Sequence, residues 1–197
     1  MNNAGYGQHG PLEDIDDDLF EKQFDVNVFG PHRLVRAALP HMRERGDGTV
    51  VNVSSLAGRI AAPGMGAYSA SKHAIEGYSD SLRRELEPFG IDVSVVQPGP
   101  VATAFRDRVD DELSRLDRTD AYEDLYAFQE DATLLGGDSP LAVHPAEVAE
   151  AIVEAAVSTD PEPRYVVGRA AGLLAYARFL PDAVVDGLFG LIRRFGS

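Results

Sequence analysis

The sequence predicts an α/β domain built on a parallel sheet, on three observations. Short β-branched runs (Thr49-Val50-Val51-Asn52-Val53, Ile91-Asp92-Val93-Ser94-Val95-Val96 and Arg164 to Val167) alternate with longer helical stretches. The first run is nearly continuous in apolar character, as befits a strand buried on both faces. Turn residues punctuate the runs: Gly46-Asp47-Gly48 precedes the first, and Pro98-Gly99-Pro100 closes the second.

Each element follows from its own residues. Leu12 to Asp18 reads as a loop entering a helix, with acids suited to the first turn. That helix extends from about Asp17 to Arg45 along an apolar stripe of Leu19, Phe20, Phe24, Val28, Leu34, Val35, Ala38 and Leu39. After the first strand, a loop from Ser54 to Gly66 leads into a helix from about Ala67 to Pro88. The acidic region from Arg106 to Asp138 is expected to form two helices and loops. Pro145 suits the first turn of a helix ending at Val157. The tail from Ala170 to Phe195 reads as amphipathic helix, broken at Pro181.

Composition narrows the functional classes. A chain of 197 residues, 44% hydrophobic, is sized for one domain, here taken as 1–197. A net charge of −14 repels phosphate backbones, and Arg83-Arg84 and Arg193-Arg194 are isolated pairs, so no nucleic-acid partner is expected. The longest stretch without a formal charge, Val93 to Phe105, contains Pro98, Gly99 and Pro100 and falls short of the roughly 18 apolar residues of a membrane span. Without cysteine there is no disulfide, thiolate metal site or cysteine nucleophile. No basic flank and apolar run follow Met1, and a cytoplasmic location is expected.

In an open parallel sheet, ligands bind beyond the carboxyl ends of the strands. The first strand ends at Ser54-Ser55 and the second at Gln97-Pro98-Gly99. The helix after Ser55 opens with Tyr68-Ser69-Ala70-Ser71-Lys72, and a spacing of four puts Tyr68 and Lys72 on one helical face. A phenol ionises near pH ~10, too high for a base near neutrality, and a neighbouring cation is expected to lower it. Ser55 is placed to hydrogen-bond a substrate oxygen while Tyr68 exchanges a proton with it.

Five features in order now carry a resemblance: Asn2-Asn3-Ala4-Gly5, Asn27 in Asp25-Val26-Asn27-Val28, Ser55 thirteen residues before Tyr68, Tyr68-x-x-x-Lys72, and Pro98-Gly99-x-Val101-x-Thr103. Together they resemble the short-chain dehydrogenase/reductase family over roughly Asn2 to Thr103. The resemblance implies a Rossmann-like sheet with flanking helices and an NAD- or NADP-dependent exchange between an alcohol and a ketone or aldehyde. It implies Tyr68 as acid/base, Lys72 lowering its pKa and holding the nicotinamide ribose, and Ser55 orienting the substrate. Asn27 would hold a water in the proton relay through a local helix irregularity. Asn2, Asn3, Ala4 and Gly5 would flank the cofactor, and Pro98, Gly99, Val101 and Thr103 would line its nicotinamide side. Blander readings stand beside these: Asn27 as a surface residue, Ser54 in place of Ser55, and Thr103 as a helix cap.

Other patterns are set aside. Gly5-Tyr6-Gly7-Gln8-His9-Gly10 matches G-x-G-x-x-G, but no strand precedes it and Pro11 and a run of acids follow. Asn52-Val53-Ser54 is a glycosylation sequon inside an expected buried strand. His9, His32, His41, His73 and His144 lack metal-ligand spacing, and Asp16 to Asp18 reads as a solvated helix start; no metal is expected. Ser69-x-x-Lys72 lacks the companion motifs of a serine hydrolase.

The family's glycine-rich nucleotide motif has no counterpart before Asn2. The resemblance therefore implies that the first three strands and most of the fourth are missing. The expectation is a catalytic half with an exposed apolar edge at Val50, Val51 and Val53, bearing a substrate or lid region at 106–138 and C-terminal helices at 170–195. Leu173, Leu174, Phe179, Leu180, Leu188, Phe189 and Leu191 in that tail either pack as core or lid, or favour a lipophilic substrate. Self-association into a homo-oligomer is expected through the helices of Leu19 to Met42 and Ala67 to Leu86. The competing reading is a truncated, catalytically inactive interaction protein that retains the motif without using it.

Overall fold

The computed structural model describes residues 1–130, 142–168, 172 and 177–195. Helix α1 (Asp17–Phe24) starts at Asp16, whose carboxylate accepts the Leu19 amide at 2.8 Å. A π-helical turn, Asp25–Phe29, joins it directly to α2 (Gly30–Arg45). Gly46 ends α2 with φ 68°, a left-handed conformation that favours glycine. Strand β1 (Gly48–Val53) then leads to α3 (Gly66–Leu86) and β2 (Ile91–Pro98). Helices α4 (Phe105–Ser114), α5 (Glu123–Glu130) and α6 (Pro145–Val157) precede β3 (Arg164–Val167), and α7 (Asp182–Phe195) follows.

The described strands form one parallel sheet in the order β1-β2-β3, with Val53 opposite Val96 and Pro98 opposite Val167. Alternation along the strands feeds two cores. Val50, Ile91 and Val93 pack with Val35 of α2 and Leu82 and Leu86 of α3. Val51, Val96 and Val167 pack with Val143 and with Ala155 of α6. The sheet is thus a buried layer between helices, which explains the continuous apolar run at Val50-Val51.

The exposed apolar edge does not occur. The Asn2 amide donates to the Val51 carbonyl at 2.8 Å, and the Val53 amide donates to the Asn2 carbonyl at 2.9 Å. Val50 and Val51 are buried and Val53 is half-buried. The chain's own first residues lie along the edge, and the valine side chains point into the two faces. What a strand edge presents is backbone, not the side chains on which the expectation rested.

The acidic region holds α4 and α5 as expected; its continuation at 131–138 lies outside the described residues, as do Leu173 and Leu174. Phe179, Leu180, Leu188 and Leu191 are exposed. Among the described residues, no helix is long and apolar enough to cross a membrane.

Candidate active site

The site forms where β1 ends and α3 begins. Ser55, in extended backbone after β1, accepts the Ala57 amide at 3.2 Å and hydrogen-bonds the Tyr68 phenol. Ser54 is buried with its hydroxyl unpartnered, so the alternative placing it at the phenol is not the observed one. One turn along α3, Lys72 Nζ lies 5.6 Å from the Tyr68 ring centroid and donates to the Val53 carbonyl at 2.9 Å. Ser55, Tyr68 and Lys72 therefore converge.

Asn27 is not a surface residue. It is 2% exposed, inside the π-helical turn that the sequence reading anticipated as a helix irregularity. Its Oδ1 accepts the Tyr6 amide at 3.1 Å, and its Nδ2 donates to the Tyr6 carbonyl and to Ser71 Oγ, both at 3.0 Å. Ser71 in turn donates to the Tyr68 carbonyl at 2.7 Å. Asn27 thus clamps the N-terminal segment to the turn of α3 that carries the tyrosine.

Electrostatics differ from the sequence expectation in one respect. The Tyr68 pKa is raised, because burial outweighs the lowering effect of the Ser55 hydrogen bond. Burial also lowers Lys72 to about 8, against an opposing pull from Glu76. Desolvation disfavours phenolate and ammonium alike, and no spacing of charges along the chain reveals it. With Tyr68 covered as it is here, the neutral phenol is favoured.

The remaining predicted residues divide. Asn3, Ala4 and Gly5 line a cleft of about 550 Å³ with Tyr6, Lys22 and Arg115. Asn2 sits on the β1 edge, its side-chain amide donating to Asn52 Oδ1 at 2.7 Å. The Gly99 amide donates to the Val167 carbonyl at 2.9 Å, and Val101 bridges to Val143. Thr103 Oγ1 accepts the Phe105 amide at 3.3 Å, the helix-entry role held open for it. Gly5 to Gly10 opens no helix; Asn52 is buried and bonded to Ser79.

Three participants escaped the sequence reading. Gln23, fully buried on α1, accepts the Gln8 amide at 2.6 Å and donates to the Tyr6 carbonyl at 2.9 Å. Its spacing of four before Asn27 was the available signal. Phe105 and His9 each place a ring centroid 5.8 Å from that of Tyr68. Nothing local in sequence announces either contact.

A strand-end serine, a tyrosine and a lysine thus meet on a parallel α/β scaffold. The short chain dehydrogenase family profile matches residues 1–114, and the chain belongs to that family. It is 36% identical over 195 residues to a probable short-chain type dehydrogenase/reductase of Helicobacter pylori, covering 98% of this chain and 70% of that protein. It is 35% identical over 190 residues to a 3-ketodihydrosphingosine reductase of Bacteroides thetaiotaomicron, covering 94% and 69%. A short-chain dehydrogenase structure from Streptomyces avermitilis superposes with a TM-score of 0.76 at 32% identity, covering all of this chain and 70% of that one. A Burkholderia phymatum family structure in complex with NAD gives 0.73 at 26% identity, covering 94% and 65%. The chain spans 64% of the length of a further relative, an uncharacterized Escherichia coli oxidoreductase 37% identical to it.

Proposed function

We infer that the chain carries the catalytic site of an NAD- or NADP-dependent oxidoreductase that interconverts an alcohol and a ketone or aldehyde. The convergence of Ser55, Tyr68 and Lys72 is the observation that supports it most.

The residues beside Lys72 suit the ribose of a nicotinamide cofactor. A Cβ on Gly5 would stand 3.1 Å from Asn27 Oδ1 and 3.7 Å from Lys72 Nζ, so glycine keeps that space clear. Lys72 uses one of its ammonium donors on Val53, which leaves others for ribose hydroxyls. Asn3, Ala4 and Gly5 would flank the cofactor, with Pro98, Gly99, Val101 and Thr103 toward its nicotinamide. When bound, the cofactor supplies or accepts the hydride.

The chain's own residues handle the proton. In the reduction direction, the Ser55 hydroxyl and the Tyr68 phenol hydrogen-bond the substrate oxygen. Tyr68 Oη gives up its proton to that oxygen, and the Lys72 ammonium beside the ring stabilises the phenolate left behind. In the oxidation direction, Tyr68 Oη takes the proton back. Asn27 fixes the backbone on which the tyrosine is mounted. Cytoplasmic location and self-association complete this reading, the latter supported by exposed Phe29 and Leu34 on the α1–α2 helical run.

The test is NAD(P)H absorbance with a panel of alcohols and ketones, using both the 197-residue chain and a version extended at its N-terminus by the strands, helices and glycine-rich turn that the family resemblance implies. Turnover that survives Tyr68→Phe in the active version would refute the assignment.

A further inference from the structure

We propose that His9 is a substrate-binding residue whose Nε2 accepts a hydrogen bond from a hydroxyl carried by the substrate in addition to its reacting carbonyl, making hydroxyketones the favoured class. This rests on the oxidoreductase reading above.

Hydrogen-bond logic fixes the tautomer. His9 Nδ1 lies 3.2 Å from Gln129 Oε1, while Gln129 Nε2 donates to the Pro63 carbonyl at 2.9 Å. A carbonyl only accepts, so the Pro63 contact requires the nitrogen end of the amide and turns Oε1 toward His9. That oxygen also only accepts, so Nδ1 carries the ring proton. Nε2 is therefore a bare acceptor, and it is buried without a partner. His9 is 7% exposed, and its burial lowers the pKa to about 4, so the ring stays neutral. A buried acceptor with no donor carries a desolvation penalty that a ligand hydroxyl would remove.

The surroundings place this acceptor at the reaction site. The His9 ring centroid is 5.8 Å from that of Tyr68. Gly7 keeps the space by Nε2 uncrowded: a Cβ there would stand 3.2 Å from Nε2 and 3.0 Å from Phe105 Cζ. Phe105 also packs on Tyr68 and, at 36% exposure, is the member of this aromatic group that reaches solvent. A ligand that displaces Phe105 meets two polar stations: Ser55 and Tyr68 for the carbonyl, and His9 Nε2 for a second hydroxyl. An ether oxygen in place of that hydroxyl cannot donate.

The experiment titrates hydroxyacetone and longer hydroxyketones, each beside its O-methyl ether, into the 197-residue chain while following the His9 ring nitrogens by nitrogen NMR. A hydroxyketone is expected to shift Nε2 and to bind on the order of tenfold more tightly than its ether. His9→Phe should abolish that preference, and His9→Gln, which restores an acceptor oxygen, should recover part of it. If His9→Phe does not fold, Gly7→Ala, which crowds Nε2, should produce the same loss. No Nε2 shift with any hydroxyketone, an equal response to hydroxyketone and ether, or a preference that survives both His9→Phe and Gly7→Ala would overturn the proposal. Binding at His9 without turnover in the extended version would count against the oxidoreductase reading alone. Turnover without a hydroxyl preference would count against His9 alone.

Discussion

Lys72 Nζ reaches the Val53 carbonyl at 2.9 Å, so the ammonium that faces the Tyr68 ring also ties α3 to the carboxyl end of β1. The same bond that positions the charge joins two elements of the fold. Substitutions at Lys72 are therefore expected to affect stability as well as activity, whereas Tyr68→Phe removes only an oxygen bonded to Ser55.

Tyr68→Phe in an active, extended version is expected to lower kcat by about 10²- to 10⁴-fold, the range for losing a positioned acid/base. Its urea midpoint should stay close to that of the parent, because the ring and its packing against His9 and Phe105 remain. Steady-state NAD(P)H absorbance and a denaturation curve check the two halves of this prediction. The 197-residue chain is expected to turn over weakly, since no glycine-rich turn among its described residues joins a strand to a helix N-terminus as a phosphate anchor.

Lys72 gives stability a defined pH dependence. Burial lowers its pKa from 10.5 to about 8, so the folded chain releases this proton while the unfolded chain still holds it. Between those two values the unfolded state binds more protons, and the lysine's contribution to stability rises with pH. Below about pH 8 both states are protonated and the burial penalty on the ammonium is felt in full. Tyr68, whose pKa is raised by burial, contributes the opposite slope only above its ordinary value of 10.0. Urea midpoints measured across the lysine window should climb in the parent and flatten in Lys72→Met.

Asn27→Ala should destabilise by roughly 1–3 kcal/mol, because it strands the Tyr6 amide beneath the π-helical turn and leaves the Tyr6 carbonyl to Gln23 alone. The loss should be larger than for Asn3→Ala, which lines an open cleft. Chemical denaturation of the two variants side by side reads the difference.

Glu76 is buried on α3 one turn after Lys72, and it accepts from Gln97 at 2.7 Å and from Arg164 at 3.1 Å. Arg164 also reaches Asp80 at 2.8 Å, so β3 is locked to α3 through charge. Arg164→Met should cost about 3 kcal/mol by removing the cation that hydrogen-bonds Glu76 and Asp80. Adding Glu76→Gln should recover part of that loss, and a double-mutant cycle measures it.

Sedimentation at micromolar concentration is expected to show self-association, and Leu34→Glu, at a position 62% exposed on α2, should shift the chain toward monomer. A clean monomer for the parent would remove self-association from the functional reading. On α3 the large aliphatics Ile75, Leu82 and Leu86 are buried, so α2 is the better first target.

The sequence by itself determined the layered α/β plan and the placement of Ser55, Tyr68 and Lys72 at the strand end and the helix that follows, because both are written in local periodicity. Strand β3 spans Arg164–Val167 and α6 spans Pro145–Val157, as their apolar patterns and the proline required. A spacing of four makes Tyr68 and Lys72 neighbours on any helix, and Ser55 lies two residues beyond the last residue of a parallel strand. What only the tertiary structure decided depends on how distant elements dock. His9 meets Gln129 across 120 positions, and Arg164 meets Glu76 across 88. Asn2 covers the edge of β1 because its backbone finds Val51 and Val53, a pairing that no side-chain pattern encodes. The phenol's pKa belongs to the same class. Charge spacing is visible along a chain, but desolvation is a property of everything packed around the group, and at Tyr68 the packing outweighs the Ser55 hydrogen bond.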